Sequence, residues 1–163
     1  MRKNFDRKVT LWIYKRLLRR FGRQHWWPAK TPFEVIVGAI LTQGTAWSNV
    51  KKSIRSLSER GGLHPERLHH LDQRILAKTI RSSGFFNVKA KRLKNFISYL
   101  FQNCGGRLER MFQKPTHLLR QELLSVSGLG QETVDSILLY AGGKPVFVVD
   151  TYTRRVFSRH GLL

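Results

Sequence analysis

Three kinds of side chain in this sequence are placed where they could do chemistry. The first is the stretch Leu123–Val134, in which Gly128 and Gly130 flank Leu129 between two apolar-periodic segments. Leu118, Leu119, Leu123 and Val126 recur at helical spacing before it, and Val134, Ile137, Leu138 and Ala141 after it. The link Ser127–Gly130 has room only for a tight turn between two helices. The two glycines are expected to supply positive φ values and close backbone approach. The helix opening at Gln131 then presents unpaired N–H groups beside a bare turn, which is an anion site. A bare helix C-cap at Gly128 is the alternative. The second kind is a carboxylate, Asp150, in front of a last helix, Tyr152–His160. There it caps the helix, and the helix dipole favours a negative charge. The third is aromatic. Trp26 and Trp27 lie in a loop before Pro28, either as a binding surface or with one of them plugging the core.

The partner follows from the charge. Thirty Lys and Arg face ten Asp and Glu, a formal net charge of +20, so the anion is a nucleic-acid phosphate sooner than an anionic membrane. No apolar run approaches the roughly 18 residues of a membrane span, and the basic N-terminus lacks a signal peptide's apolar stretch. We therefore expect a cytoplasmic, nucleoid-associated protein, most simply a monomer. Cys104 is the single cysteine, which leaves no cysteine-based metal site in this span. His64, His69 and His70 lack metal-ligand spacing.

These groups need helices to position them. Val9–Phe21 reads as an amphipathic helix with Leu11, Trp12, Leu17, Leu18 and Phe21 on its apolar face. Thr31-Pro32-Phe33-Glu34 is a capping box with proline at the first helical position. The helix it starts, through Val35, Ile36, Ala39 and Ile40, is apolar all round and ends at Gln43-Gly44. Thr45 is expected to cap the next helix, which carries Trp47, Val50, Ile54 and Leu57. Gln43 thus sits at a helix–helix corner, where its side chain either projects or bridges backbone groups. Trp47 either packs in the core or lines a pocket. Short helices follow over 65–70 and 73–82, the second capped by Asp72. Asn87 is expected to cap a long helix to about Cys104, whose run Lys89, Lys91, Arg92 and Lys94 reads as a solvated basic face. Gly105-Gly106 breaks the chain before helices at about 107–113 and 117–125. A short extended run, Val146–Val149, precedes Asp150. The fold class is all-α, with around ten helices in one domain spanning 1–163.

The hairpin, the VVD of Val148–Asp150 and the segment Leu41–Val50 (LTQGTAWSNV) together resemble the helix-hairpin-helix/Gly-Pro-Asp (HhH-GPD) superfamily of DNA glycosylases. Leu41–Val50 resembles the LTQ motif of its endonuclease III branch. Trp26-Trp27-Pro28 and SGFFN with KAKRL resemble the family too, the former its 3-methyladenine glycosylase branch. The resemblance implies an HhH-GPD glycosylase fold, a helical bundle divided into residues 1–30 in one lobe, 31–145 in another with the hairpin at 117–142, and 146–163 returning with the catalytic aspartate. It makes Asp150 catalytic and assigns the pocket for a flipped base to Trp26, Trp27, Pro28, Trp47 and Glu132. It assigns DNA binding to Gln43, Thr45, Ser127, Gly128, Leu129, Gly130, Gln131 and Thr133, with Gln43 filling the gap left by the extruded base.

Bifunctional relatives carry a lysine nucleophile where this chain has Glu132. A carboxylate cannot form the imine, so the resemblance points to a monofunctional glycosylase acting on damaged bases in double-stranded DNA, alkylated purines of the 3-methyladenine type foremost. Excision of an oxidised or mismatched base, or a non-catalytic helix-hairpin-helix module, are the alternatives. Many relatives hold a four-cysteine iron–sulfur cluster beyond the region where this chain stops. The resemblance therefore leads us to expect missing C-terminal helices, and an isolated chain that melts low, binds hydrophobic dye and turns over little.

Overall fold

The computed structural model describes residues 7–24 and 26–162. Its described residues form ten α-helices and no strand: α1 (Arg7–Phe21), α2 (Pro32–Leu41), α3 (Trp47–Glu59), α4 (Pro65–His70), α5 (Gln73–Thr79), α6 (Phe86–Cys104), α7 (Leu108–Gln113), α8 (Thr116–Ser125), α9 (Gln131–Ser136) and α10 (Thr151–Arg159). A 3-10 turn, Arg81–Ser83, precedes α6, and a π-turn, Ile137–Ala141, extends α9. The chain is all-α, as its periodicity implies. No described helix is long and apolar enough to cross a membrane.

Two compact units make up the chain. One is formed by residues 1–28 and 149–163, the other by 29–148. In the larger unit α2 is central, packing against α3, α6, α9 and the π-turn. Its start matches the sequence signal: the Glu34 N–H donates to Thr31 Oγ1 at 3.1 Å, with Pro32 in the first turn. The Glu34 carboxylate reaches back to the Lys30 N–H at 3.0 Å. α2 is apolar all round, so Ile36, Val37, Ile40 and Leu41 are fully enclosed. α6 supplies the second wall with Leu93, Phe96, Ile97 and Leu100, and α4, α5 and α7 lean on it. Asp72 caps α5 through the N–H groups of Arg74 and Ile75.

Two expected caps are absent. Ala46, not Thr45, occupies the N-cap of α3, and Asn87 lies inside the first turn of α6 behind Phe85. In the smaller unit, α1 buries only Ile13, and α10 buries nothing. Leu11, Trp12, Leu17, Leu18 and Phe21 are exposed, and the Arg16 guanidinium lies 4.9 Å from the Trp12 ring centre.

Candidate nucleic-acid interface

α8 and α9 form the hairpin read from the sequence. Leu129 is buried at its tip, and its N–H donates to the Val126 carbonyl at 3.1 Å. Its side chain is thus turned inward and its amide is engaged within the turn. Gly128 has φ +95°, and a Cβ there would run into Arg92 Cγ, so glycine is required twice over. Gly130 differs from expectation. Its backbone is extended (φ −88°, ψ 172°) and nothing lies within 4 Å of an added Cβ. Glycine at 130 leaves a bare approach to the start of α9, where no side chain caps the helix. Gln131 and Glu132 are exposed on that first turn, whereas Thr133 is buried.

The hairpin is tied to the corner after α2. Gln43 Nε2 donates to Thr133 Oγ1 at 2.8 Å and to the Gly128 carbonyl at 3.3 Å, and its Oε1 accepts from Arg92 Nη1. Both ends of the Gln43 amide are thus engaged, tying the corner to the hairpin and to α6, with Thr133 as one of its partners. Asn95 Nδ2 donates to the Ser127 carbonyl at 2.9 Å. Across the hairpin, Arg120 grips the buried Asp135 with two parallel bonds of 2.7 and 3.1 Å, a geometry that fixes orientation as well as distance.

Thr45 and Ser127 also sit in this region. Thr45 Oγ1 donates to the Ser83 carbonyl, which is why it does not cap α3. Lys89, only 1% exposed, donates from Nζ to the same Ser83 carbonyl at 2.6 Å and to the Leu41 carbonyl at 2.8 Å. Burial, and secondarily the Arg92 charge, lower its basicity. Lys94 likewise turns inward, donating to the carbonyls of Leu68, His69 and Leu71 at the end of α4. The supposed solvated face of α6 is thus mostly a set of inward donors, with Lys91 exposed. Phe85, read only as part of a turn, is 75% exposed and has φ +44°, the one positive-φ residue other than glycine among those described.

Trp47 opens α3 and is half-buried. In the smaller unit Trp26 is 70% exposed, Trp27 half-buried and Pro28 exposed. Asp150 does cap α10: its Oδ1 accepts from the Thr153 N–H at 2.6 Å. Its second oxygen accepts no hydrogen bond among the described residues. Cys104 is buried, and no group of three His, Cys, Asp or Glu side chains among the described residues could hold a metal. One thiol does not fit the four-cysteine cluster of endonuclease III relatives.

The profile of the HhH-GPD superfamily base excision DNA repair protein matches residues 37–163. The chain belongs to that superfamily. A Methanocaldococcus jannaschii protein named "Putative DNA repair glycosylase" is 49% identical over 152 residues, covering 93% of this chain and 69% of its own length. Endonuclease III of Thermotoga maritima is 30% identical over 149 residues, covering 91% of this chain and 65% of its own length. Among solved structures, the H. pylori 3-methyladenine DNA glycosylase bound to 1,N6-ethenoadenine superposes with a TM-score of 0.80 at 31% identity, covering 94% of this chain and 73% of that one. A non-covalent endonuclease III–DNA complex superposes at 0.77 with 23% identity, covering 94% and 68%, and shows the common fold. Solved proteins that share this fold include endonuclease III in complex with DNA.

Proposed function

We propose that the protein is a monofunctional glycosylase that uses water to release N-alkylated purines of the 3-methyladenine type from duplex DNA. The observation that carries this reading is Glu132. It stands exposed on the first turn of α9, at the position of the lysine nucleophile of bifunctional relatives. Without an amine there, no imine with the sugar forms, and the strand-cleaving step lacks its nucleophile. The 31% identity to the H. pylori 3-methyladenine glycosylase supports the substrate class. Tryptophan faces attract cations, and N-alkylated purines are cationic, so exposed Trp26 suits them.

Asp150 is the carboxylate that offsets positive charge developing on the sugar and orients the attacking water. The Thr153 N–H fixes one of its oxygens, leaving the other for that work. The hairpin holds the DNA backbone through the bare edge at Gly128, Gly130 and Gln131, while the +20 charge draws the duplex in. Extruding a base costs a few kcal/mol. Gln43 exchanges its bonds to Thr133, Gly128 and Arg92 for the duplex and, with Phe85 on the turn that meets Thr45, occupies the emptied stack.

The test is mass spectrometry of free bases released from globally methylated DNA. Release of 3-methyladenine, with no borohydride-trapped adduct on abasic DNA, is expected. A trapped adduct, or no alkylpurine released, overturns the reading. The endonuclease III relatives favour a second reading, excision of an oxidised or mismatched base, which duplexes carrying those lesions would reveal.

A further inference from the structure

Lys89 is one of the largest fully enclosed side chains among the described residues, yet it carries an amine. Groups of this kind are rarely buried without a task, since desolvating the charge is costly unless hydrogen bonds offset it. Its two acceptors belong to different segments. Leu41 is the last residue of α2, where helix carbonyls lack internal partners, and the corner bearing Gln43 starts immediately after it. Ser83 ends the 3-10 turn, two residues before Phe85. The Ser83 carbonyl also receives the Thr45 hydroxyl, so both of its lone pairs are used, one from each side. Lys89 itself lies one turn into α6, and its own N–H donates to the Phe85 carbonyl at 3.0 Å. One residue therefore touches the end of α2, the end of the 3-10 turn and the strained Phe85 backbone. These are the supports of Gln43 and Phe85.

We propose that Lys89 is a positioning residue for base extrusion: it locks the Gln43 corner to the Phe85 turn so that both groups enter the DNA stack as one rigid wedge. The inference rests on the roles given above to Gln43 and Phe85. Lys89 never meets DNA; it sets the spacing of groups that do. Misplacing such groups by an ångström costs on the order of 100-fold in rate.

The experiment compares wild type with Lys89→Met, which keeps the aliphatic stem and removes the donor. The readouts are thermal melting, affinity for undamaged duplex, single-turnover base release, and fluorescence of 2-aminopurine placed beside the target base. The variant should retain its fold and its affinity for undamaged duplex. Its opening signal should be lost, and single-turnover release should fall on the order of 100-fold. Made in a Gln43→Ala background, the same change should add little, because both act through one wedge. Wild-type opening with normal kinetics in Lys89→Met, or full additivity with Gln43→Ala, overturns the inference alone. Opening by a wild type that releases no alkylpurine sinks the substrate reading and leaves this one standing. Absence of an opening signal in wild type with any duplex sinks both. If Lys89→Met does not fold, Thr45→Val removes the second donor to Ser83. It should then lower the opening signal in the same direction, and no change in that signal overturns the proposal.

Discussion

α2 buries eight of its ten residues, whereas α1 buries one of its fifteen, although both carry apolar side chains at helical spacing. The difference lies in what each helix finds within its own unit. α2 is enclosed by α3, α6 and α9, and the polar groups around the hairpin are bonded several times over: Gln43 at both ends of its amide, Asp135 to Arg120, Ser83 to Lys89 and Thr45. In the unit that carries Asp150, the described helices bury a single side chain, and the carboxylate is held by one cap bond. The hairpin thus rests on a core of its own. The described helices of the unit that carries Asp150 bury little apolar surface.

The sharpest break of this comparison is Asp150→Asn. Base release should fall by at least 10²–10³-fold, the scale for losing one aimed electrostatic group, while affinity for duplex DNA stays the same. A matching fall in affinity would show that the two tasks are not divided as described. Next comes the packing contrast. Ile40→Ala, in the enclosed helix, should lower stability by about 2–5 kcal/mol, whereas Leu17→Ser on the exposed face of α1 should change it by about 0.5 kcal/mol or less. Chemical denaturation that finds the two equal would mean that α1 is covered in solution.

Within the hairpin, Gly128→Ala should cost about 1–3 kcal/mol from backbone strain and the collision with Arg92, together with duplex affinity. Gly130→Ala should be nearly neutral for stability and weaken only binding, because its extended backbone accepts a side chain in open space. Loss of stability in Gly130→Ala would refute the assignment of that glycine to ligand approach. The smallest effect concerns pH. Glu122 accepts from Lys114 at 2.6 Å and from the Tyr99 hydroxyl at 2.6 Å, and these bonds hold its carboxyl below the ordinary value of 4.5. Its stabilisation is therefore complete above that value and is lost as pH falls through the depressed one. Melting of Glu122→Gln should accordingly lose the acid-side slope seen in wild type, and an unchanged slope would remove Glu122 from the account.

Much of the larger unit was legible because its signals are local. Thr31-Pro32 fixes a helix start within four residues, an all-apolar run can only be buried, and Gly128 marks a turn that excludes a side chain. The errors share one cause, a partner distant in sequence. Thr45 has the side chain of a cap just before the helix that carries Trp47, but its hydroxyl goes to Ser83. Lys89 stands in a run with Lys91 and Arg92 that suggests solvated charge. Yet it lies four and seven residues before Leu93 and Phe96, on the same stripe, and that spacing was the signal of burial. Gln43 was expected to bridge or project, and the choice rested on Arg92 and Thr133, which no local pattern reveals. Phe85 gave no sign of its backbone, since a left-handed conformation at an aromatic residue is set by the turn around it.

That left-handed residue has a consequence for how the protein could change over generations. Glycine or asparagine at position 85 would relieve the strain and raise the unfolding free energy, and would erase the aromatic surface in the same step. Selection for thermal endurance alone should drift away from phenylalanine there, while selection for repair should restore it. With the role proposed for Phe85, robustness and usefulness are traded directly against each other at this one position.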